Sequence, residues 1–257
     1  MTESIGGNPA LAAEQLISLL SAGKSIVFFT GAGISTRSGI PDFRSPGGIW
    51  SRYRIIALDE FRASEAARLE DWERRFHMAA LFATAKPNAA HDWIARLVRE
   101  GRSSGVITQN IDGLHQKAGM AEANVVEFHG TGAHAHCLSC GKRHEINQMR
   151  ALIESKRIAP RCDCGGLVKA AVISFGEAIP DDVFRRAEIL IDSADFMVAI
   201  GTSLQVWPAS GLLERGLVRK VPLIILNRDV TPFHSKSIAV FTDDLTEIAE
   251  NIVKLLF

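Results

Sequence analysis

The sequence predicts an α/β fold in which a parallel β-sheet is covered by helices on both faces. Two observations predict it: continuous apolar runs of strand length recur along the chain, and amphipathic stretches of helix length separate them. Strands buried on both faces read as continuous apolar runs, and parallel strands need crossover connections such as helices. A third observation is that the first run leads into a glycine-containing loop, as strands do where backbone meets a phosphate.

The first unit is a helix followed by a strand. Residues 9–22 carry apolar side chains at helical spacing and stop before Gly23, and residues 26–30 (IVFFT) read as a buried strand. Further strand-length runs lie at 104–109, 125–130, 194–201 and 221–227. Amphipathic stretches at 88–101 and 181–194 predict helices between them, which continues the α/β alternation.

Two blocks interrupt this alternation. Residues 50–86 are charged, aromatic and helix-prone, and they predict a helical insertion. Residues 131–170 hold all four cysteines, and they predict a small zinc-binding domain. The sheet domain is then assembled from the segments 1–49, 87–130 and 171–257. A chain of 257 residues is long enough for one large core and a small appended module.

Composition and charge disfavour several functional classes. The 29 basic residues balance the 29 acidic ones, and the cysteine-containing block has no aromatic platform on which bases would stack. The apolar runs are far shorter than a membrane span, and the N-terminal residues do not read as a secretory signal. We therefore expect a cytoplasmic protein with neither a membrane nor a nucleic-acid partner.

The four cysteines form two close pairs, Cys137 with Cys140 and Cys162 with Cys164. Two such pairs can surround one tetrahedral zinc ion, because short loops let thiolates turn back on the same ion. Four thiolates leave no open coordination position, so this zinc would be structural. The second pair is one residue tighter than usual, and the two glycines that follow it would relieve the turn. One alternative is that the four are ordinary buried cysteines. Another is that His134, His136 or His144 replaces one cysteine as a ligand, although it is simpler to interpret these histidines as surface residues.

The loop after the first strand, GAGIST at 31–36, departs from the dinucleotide-binding pattern G-x-G-x-x-G. Gly31 and Gly33 fit the pattern, but Thr36 stands where the third glycine belongs. The pattern alone therefore leaves open which nucleotide the loop binds.

Polar residues follow other predicted strands, at the edge where parallel sheets bind ligands. Gln109, Asn110 and Asp112 suit ribose hydroxyls and a carboxamide, with a helix-capping turn as the alternative. His129 is either a general base or a packed histidine. Asp42, Phe43 and Arg44 lie in a loop that either closes over a ligand or forms an ordinary turn. The remaining candidates are the Gly-Thr-Ser stretch at 201–203 and Asn227.

Taken together, these stretches resemble the sirtuin family, bacterial type. GAGIST, GIPDFR, TQNIDGLH, FHG, the two cysteine pairs, SFGE and GTSLQVWPA occur in the family's order between residues 31 and 209, with Asn227 beyond. The resemblance implies a Rossmann-like NAD-binding domain, a zinc-binding domain and a cleft between them for acyl-lysine proteins or peptides. It also accounts for the glycine loop, because sirtuins consume NAD as a reactant, and a loop that rearranges around its nicotinamide ribose does not need the third glycine.

The resemblance implies a role for each matching residue. The NAD contacts would be Gly31, Ala32, Gly33, Ile34, Ser35, Asp42, Phe43, Arg44, Gln109, Asn110, Ile111, Asp112, Gly201, Thr202, Ser203 and Asn227. The catalytic residues would be His129, as general base, with Asn110 and Asp112. The substrate peptide would lie as an added strand between Phe175, Gly176, Glu177 and Leu204, Gln205, Val206. The implied reaction releases nicotinamide and transfers the acyl group of lysine to ADP-ribose, with His129 activating a ribose hydroxyl.

The chain departs from the family pattern beside the implied peptide groove. Ala170 replaces the usual proline, and Ser174 stands where an aromatic residue is common. Sirtuins that prefer succinyl or malonyl groups share a Tyr-x-x-Arg pair, whereas Tyr53 is the only tyrosine here and Ile56 follows three residues later. We therefore predict weak activity on acidic acyl groups. The stretch 62–76 is instead similar to the class that includes the mitochondrial lipoamidase sirtuin, which suggests tolerance of long acyl chains.

Two other functions compete with NAD-dependent deacylation. A mono-ADP-ribosyltransferase would use the same ribosyl chemistry with an amino-acid nucleophile. A non-catalytic NAD-binding regulatory module would need none of Asn110, Asp112 and His129, yet all three are present.

Overall fold

The structure, a computed structural model, describes residues 3–256, and within them the chain forms a seven-stranded and a three-stranded sheet. The strands are β1 (Glu3–Ile5), β2 (Ile26–Thr30), β3 (Ser103–Thr108), β4 (Val125–Glu127), β5 (Gly130–Cys137), β6 (Arg143–His144), β7 (Val168–Val172), β8 (Phe196–Ile200), β9 (Leu223–Leu226) and β10 (Ala239–Phe241). The helices are α1 (Pro9–Leu20), α2 (Leu58–Ala63), α3 (Glu65–Thr84), α4 (Ala89–Arg99), α5 (Leu114–Lys117), α6 (Ile146–Lys156), α7 (Asp181–Ser193), α8 (Ala209–Val218) and α9 (Leu245–Leu256).

The larger sheet is parallel throughout, in the order β1-β10-β9-β8-β2-β3-β4. From β2 the chain moves outward through β3 and β4, and from β8 it moves outward on the other side through β9 and β10. The strand order therefore reverses between β2 and β8. In open α/β sheets, ligands bind outside the carboxyl ends of the strands at such a reversal. The predicted α/β class with a parallel sheet is confirmed.

Helices bury both faces of this sheet, as the continuous apolar runs predicted. Alternate residues of β2 serve the two faces: Ile26 and Phe28 pack towards α1, α4 and α9, whereas Val27 and Phe29 pack towards α7 and α8. All five residues of β2 are buried. Since side chains alternate across a strand, a strand buried on both sides must be apolar at every position that contacts a helix.

The smaller sheet is antiparallel, in the order β6-β5-β7. It begins one residue before the predicted cysteine-containing block and ends two residues after it, because β5 starts at Gly130 and β7 ends at Val172. Its buried side chains join those of α3 and α6 in a third core, which includes Trp72, Met78 and Val168. The helical block and the cysteine-containing block thus share one hydrophobic core.

The predicted elements at 9–22, 88–101 and 181–194 correspond to α1, α4 and α7, with ends that differ by a few residues. The sequence analysis assigned no element to β1, β10, α8 or α9. Between residues 3 and 256, none of the helices combines the length and the hydropathy that crossing a bilayer requires.

Candidate active-site cleft and metal centre

A cleft lies where the strand order reverses, with a volume of about 320 Å³. Loops that follow β2, β3, β7, β8 and β9 line it. The predicted residues that line the cleft are Gly31, Ala32, Gly33, Asp42, Phe43, Arg44, Gln109, Asn110, Ile111, His129, Phe175, Gly176, Glu177, Gly201, Thr202, Ser203, Val206 and Asn227. The predicted residues that do not line it are Ile34, Ser35, Asp112, Leu204 and Gln205. Loops that are distant in sequence therefore meet at one site.

Gly31 and Gly33 hold the loop after β2 against the end of β8. Gly31 N donates to Ile200 O at 3.0 Å, and Gly33 N donates to Gly201 O at 2.8 Å. A Cβ on Gly33 would lie 2.8 Å from the Cα of Gly201, and a Cβ on Gly31 would lie 2.7 Å from the Cβ of Thr202. Non-bonded carbons stay about 3.5–4.0 Å apart, so a side chain at either position would push the two loops apart.

Thr36 occupies the position of the missing third glycine without strain. Residues Ala32–Ser38 form a 3₁₀ helix that ends at Gly39, where φ is +86°. The Thr36 side chain is exposed, and its Oγ1 donates to Gly33 O at 3.0 Å. In the dinucleotide-binding pattern the third glycine permits close packing of helix on strand. Because Thr36 is exposed, no such packing requires a glycine there.

A buried polar network supports the glycine loop from below. Asn110 Nδ2 donates to Gly31 O at 3.1 Å and to Ser35 Oγ at 3.2 Å, and Ser35 Oγ donates to Asp112 Oδ2 at 2.7 Å. Asp112 also accepts from Leu114 N at 2.9 Å. Burial raises the pKa of Asp112, while these hydrogen bonds oppose the rise. Ser35 and Asp112 therefore fix Asn110 and the loop, and only Asn110 reaches the cleft.

His129 presents an unprotonated nitrogen when its ring is neutral. Its Nδ1 lies 3.2 Å from Gln109 O, and since a carbonyl only accepts, Nδ1 carries the proton and Nε2 keeps its lone pair. Burial lowers the pKa of His129, and the bond to Gln109 O offsets part of that change. Gln109 is itself held by a 2.8 Å bond from its Nε2 to Thr202 Oγ1. The site thus favours a neutral, oriented imidazole.

The segment from Asp42 to Trp50 forms a turn that lines the cleft. Asp42 Oδ1 accepts from the backbone N of Arg44 at 2.9 Å and of Ser45 at 2.8 Å, and its Oδ2 accepts from Ser45 Oγ at 2.6 Å. Asp42 therefore shapes the turn. Phe43 packs against Trp50, with ring centroids 5.2 Å apart. Arg44 Nη1 lies 3.5 Å from the hydroxyl of Ser203, on the loop after β8.

Asn227 brings the end of β9 to the same cleft. Its backbone N donates to Phe241 O at 3.0 Å, and its Nδ2 donates to Asp229 O at 2.8 Å. Asp229 also lines the cleft. The side-chain oxygen of Asn227 thus lies among the loops that carry the predicted NAD contacts.

The loop after β7, residues 173–177, forms the opposite wall. Phe175 is 48% exposed, its carbonyl accepts from Leu58 N at 2.9 Å, and its ring centroid lies 6.4 Å from that of Trp50. On the facing loop, Val206 lines the cleft, whereas Leu204 is buried and Gln205 is exposed outside it. Residues of both segments thus line the same cleft.

The sequence analysis missed several cleft residues, among them Trp50, Arg74 and Arg75. Arg74 is held by Asp71, by a 3.1 Å bond to Arg54 O, and by the ring of Trp50, whose centroid lies 5.5 Å from the guanidinium carbon. Arg75 contacts Asp71 through Nε at 3.4 Å. No signal separates these arginines from surface residues of a charged helix, so the sequence could not have identified them.

The four cysteines form a separate metal centre whose sulfur atoms all lie within 4.8 Å of one another. A tetrahedral ion with Zn–S bonds of about 2.3 Å would hold its sulfurs roughly 3.8 Å apart. The measured separations fit: 3.5 Å from Cys137 to Cys164, 3.8 Å from Cys140 to Cys162 and 3.4 Å from Cys140 to Cys164. Backbone N–H groups, of Cys140 above all, lower the pKa of the Cys137 thiol to about 6. The predicted structural zinc site is confirmed as a cluster of four thiols.

The tight second pair of cysteines is possible because glycines follow it. Gly165 has a φ of +83°, and a Cβ on Gly166 would lie 2.5 Å from Cys137 Sγ. In the described part of the chain, the nearby histidines are not members of the metal-capable cluster. Four thiolates complete a tetrahedral shell, so a zinc ion held by them would be structural.

Comparisons with known proteins agree with this geometry. The family model described as "Sir2 family" matches residues 31–208. An NAD-dependent protein deacetylase of Rhodopseudomonas palustris is 47% identical over 235 residues, which cover 91% of this chain and 93% of that protein. The chain belongs to the Sir2 family, and its resemblance to bacterial sirtuins is confirmed.

Solved structures of the family have the same fold. One described as "Sir2 bound to acetylated peptide" matches with a TM-score of 0.84 and 33% identity, over 94% of this chain and 97% of that chain. Another, described as "Structure of Sir2Tm bound to a propionylated peptide", matches with a TM-score of 0.83 and 33% identity over the same shares of the two chains. The predicted Rossmann-like sheet with a small cysteine-containing module is therefore confirmed.

Proposed function

We propose that the protein is an NAD-dependent protein-lysine deacylase, foremost a deacetylase, that transfers the acyl group to ADP-ribose and releases nicotinamide. The observation that carries the proposal is the meeting, in one cleft, of a side-chain-free glycine loop, an oriented neutral histidine and an open groove for an extended chain. The names of the relatives, NAD-dependent protein deacetylases, agree with it.

The residues around the glycine loop fit a dinucleotide. The space that a Cβ on Gly31 or Gly33 would fill is already taken by the loop after β8, so backbone rather than side chains faces the cleft. NAD supplies the electrophilic ribose carbon and the hydroxyl that receives the acyl group. Asn110 fixes the loop and lines the cleft, while Thr202, Ser203 and Asn227 offer hydroxyl and amide groups to the adenosine half.

His129 acts as the general base, and its Nε2 takes the proton of the attacking hydroxyl. A base must be unprotonated to work, and burial favours the neutral ring. Asp112 acts indirectly, since it is buried beneath the loop and holds Ser35. Correctly placed proton transfer of this kind contributes roughly 10²–10⁴ in rate.

Acyl-lysine segments of proteins bind as an extended strand between residues 173–177 and the loop that carries Val206. Such strand addition gives affinity through backbone hydrogen bonds and specificity through side-chain pockets. The protein acts in the cytoplasm, where four free thiols stay reduced and available to zinc. Membranes and nucleic acids are not partners. The segments 1–49, 87–130 and 171–257 form the NAD-binding domain, with 50–86 as the helical insertion and 131–170 as the zinc-binding domain.

The test is nicotinamide release from NAD, with and without an acetyl-lysine peptide, by the wild type and His129→Ala. We expect release that needs both the peptide and His129. The control is His234→Ala, because His234 lies outside the cleft, and it should behave as the wild type. Peptide-independent transfer of label from NAD to protein that survives in His129→Ala would instead indicate ADP-ribosyl transfer. NAD binding without any nicotinamide release would indicate a regulatory module.

A further inference from the structure

The strand β7 carries a fully buried lysine beside the peptide groove. Lys169 has no exposed surface, and its Nζ lies 3.0 Å from Glu177 Oε2. It also donates to Val172 O and, at 3.2 Å, to Ala170 O. An ammonium has three donors, and each one has a partner here. The charge is therefore completely satisfied inside the protein.

The partner carboxylate closes the loop that lines the groove. Glu177 Oε2 also accepts from Ser174 N at 2.8 Å, and Glu177 N donates to Ser174 O at 3.0 Å. Glu177 thus ties both ends of the 174–177 turn to each other and, through Lys169, to β7. The residue before the turn is fixed as well, since Ile173 N donates to His129 O at 2.9 Å. The groove wall is held at one end by His129 and at the other by Lys169.

Stability alone does not explain this ion pair. Buried pairs are often neutral or even unfavourable when compared with apolar residues of the same size, because both charges lose their hydration. Lys169 lies on the face of β7 opposite to Val168 and Ala170, and an apolar side chain there would be as fully buried as the lysine is. What an apolar residue cannot do is bind Glu177, whose carboxylate would then keep only the bond from Ser174 N and lose its attachment to β7.

We propose that Lys169 is a positioning residue for the substrate peptide: through Glu177, it fixes the 173–177 loop in the conformation that binds the peptide beside His129. The inference rests on the proposed function, because it assumes that the groove binds acyl-lysine peptides. It adds to that function a residue which does not touch the substrate and has no surface in the cleft.

The test measures the affinity of a fluorescent acetyl-lysine peptide by anisotropy, without NAD, together with the KM values for peptide and NAD. Lys169→Met should weaken peptide binding by about tenfold or more, while the KM for NAD changes by less than about twofold. Lys169→Arg, which keeps the charge, should recover most of the affinity. The control is Lys236→Met, which removes a surface ion pair with Glu214 (3.4 Å) and should change neither.

Glu177→Gln provides a second route if Lys169→Met does not fold. It should weaken peptide binding to a similar degree, and the double variant Lys169→Met/Glu177→Gln should be no worse than either single variant, because both act through one contact. Additive losses would overturn the proposal, as would wild-type affinity in Lys169→Met or equal rises of the two KM values. Tight binding by a wild type that never deacylates would refute the proposed function instead, and the affinity comparison would still test the loop.

Discussion

The buried histidines beneath the cleft predict a loss of stability in mild acid. His91 has no exposed surface, and burial lowers its pKa from 6.5 to about 4. Its ring lies next to that of His115, with centroids 5.1 Å apart, and burial together with His91 also lowers the pKa of His115. His91 Nδ1 accepts from Asn88 N at 3.4 Å, so the neutral ring carries its proton on Nε2, which has no hydrogen-bond partner within the described residues. A second proton would have to enter at Nδ1, where it would meet a backbone N–H donor and no acceptor.

The sign follows from the proton uptake of the two states. The unfolded chain binds a proton at His91 as the pH falls below 6.5, whereas His91 in the folded chain stays neutral until the pH nears 4. The stability that a neutral His91 contributes is fully present above pH 6.5 and is lost as the pH falls from 6.5 towards 4. At 1.36 kcal/mol per pKa unit, His91 alone removes about 2 kcal/mol of unfolding free energy between neutral pH and pH 5.

Urea unfolding of the wild type and His91→Gln at pH 7.5 and pH 5.0 measures this contribution. The substitution should destabilise at pH 7.5, because Nδ1 of His91 accepts from Asn88 N at the start of α4. Between the two pH values, however, the variant should lose about 2 kcal/mol less than the wild type. Equal losses in the two proteins would show that His91 does not resist protonation, and the reasoning from burial would be wrong.

Four further predictions concern the sites. Gly33→Ala should raise the KM for NAD by about tenfold or more and leave peptide affinity unchanged, since its Cβ would lie 2.8 Å from Gly201 Cα; an unchanged KM would contradict it. The acid limb of kcat/KM should lie below pH 6.5, because burial lowers the pKa of His129; a limb above that pH would refute this role. Cys162→Ser should reduce the zinc content and the Tm together, whereas loss of activity at an unchanged Tm would speak against a structural zinc. Desuccinylation should be slower than deacetylation on matched peptides, because Ile56 stands where the arginine of the Tyr-x-x-Arg pair would bind the distal carboxylate; faster desuccinylation would refute this.

The sequence predicted best where one chemical requirement dominates a short stretch. β2 has four successive apolar residues before Thr30 because both faces of the sheet are covered, and the chain continues into a loop with two positions where only glycine fits. The cysteines were equally clear, since four thiolates in two short loops have few other uses. In contrast, β1 and β10 have three residues each, which is too short for a periodic pattern.

Contacts between distant segments could not be predicted from local patterns. Ile34 and Ser35 belong to a motif that suggested NAD contact, yet Ile34 packs into the core beneath the sheet and Ser35 faces Asp112. Which residues of a short 3₁₀ helix face the ligand depends on how it lies against β8. In the same way, Trp72 reads as one aromatic residue of a charged helix, and only the tertiary structure places it in the core beside the cysteine-containing sheet.

Apolar side chains and buried charged side chains have different roles in this fold: the first stabilise it, and the second fix the geometry around the cleft. The two clusters that cover the parallel sheet are built from apolar side chains, and burial of that area supplies most of the stability. Buried charged side chains occur instead around the cleft and the third core, as with Asp71, Arg74, Asp112 and Lys169. A charge that has lost its hydration is stable only with its partners in place, so each one fixes a geometry that apolar packing would leave free to shift. That is the arrangement required where a loop must keep a fixed position relative to His129, and it explains why these four buried charges lie beside the cleft and the third core.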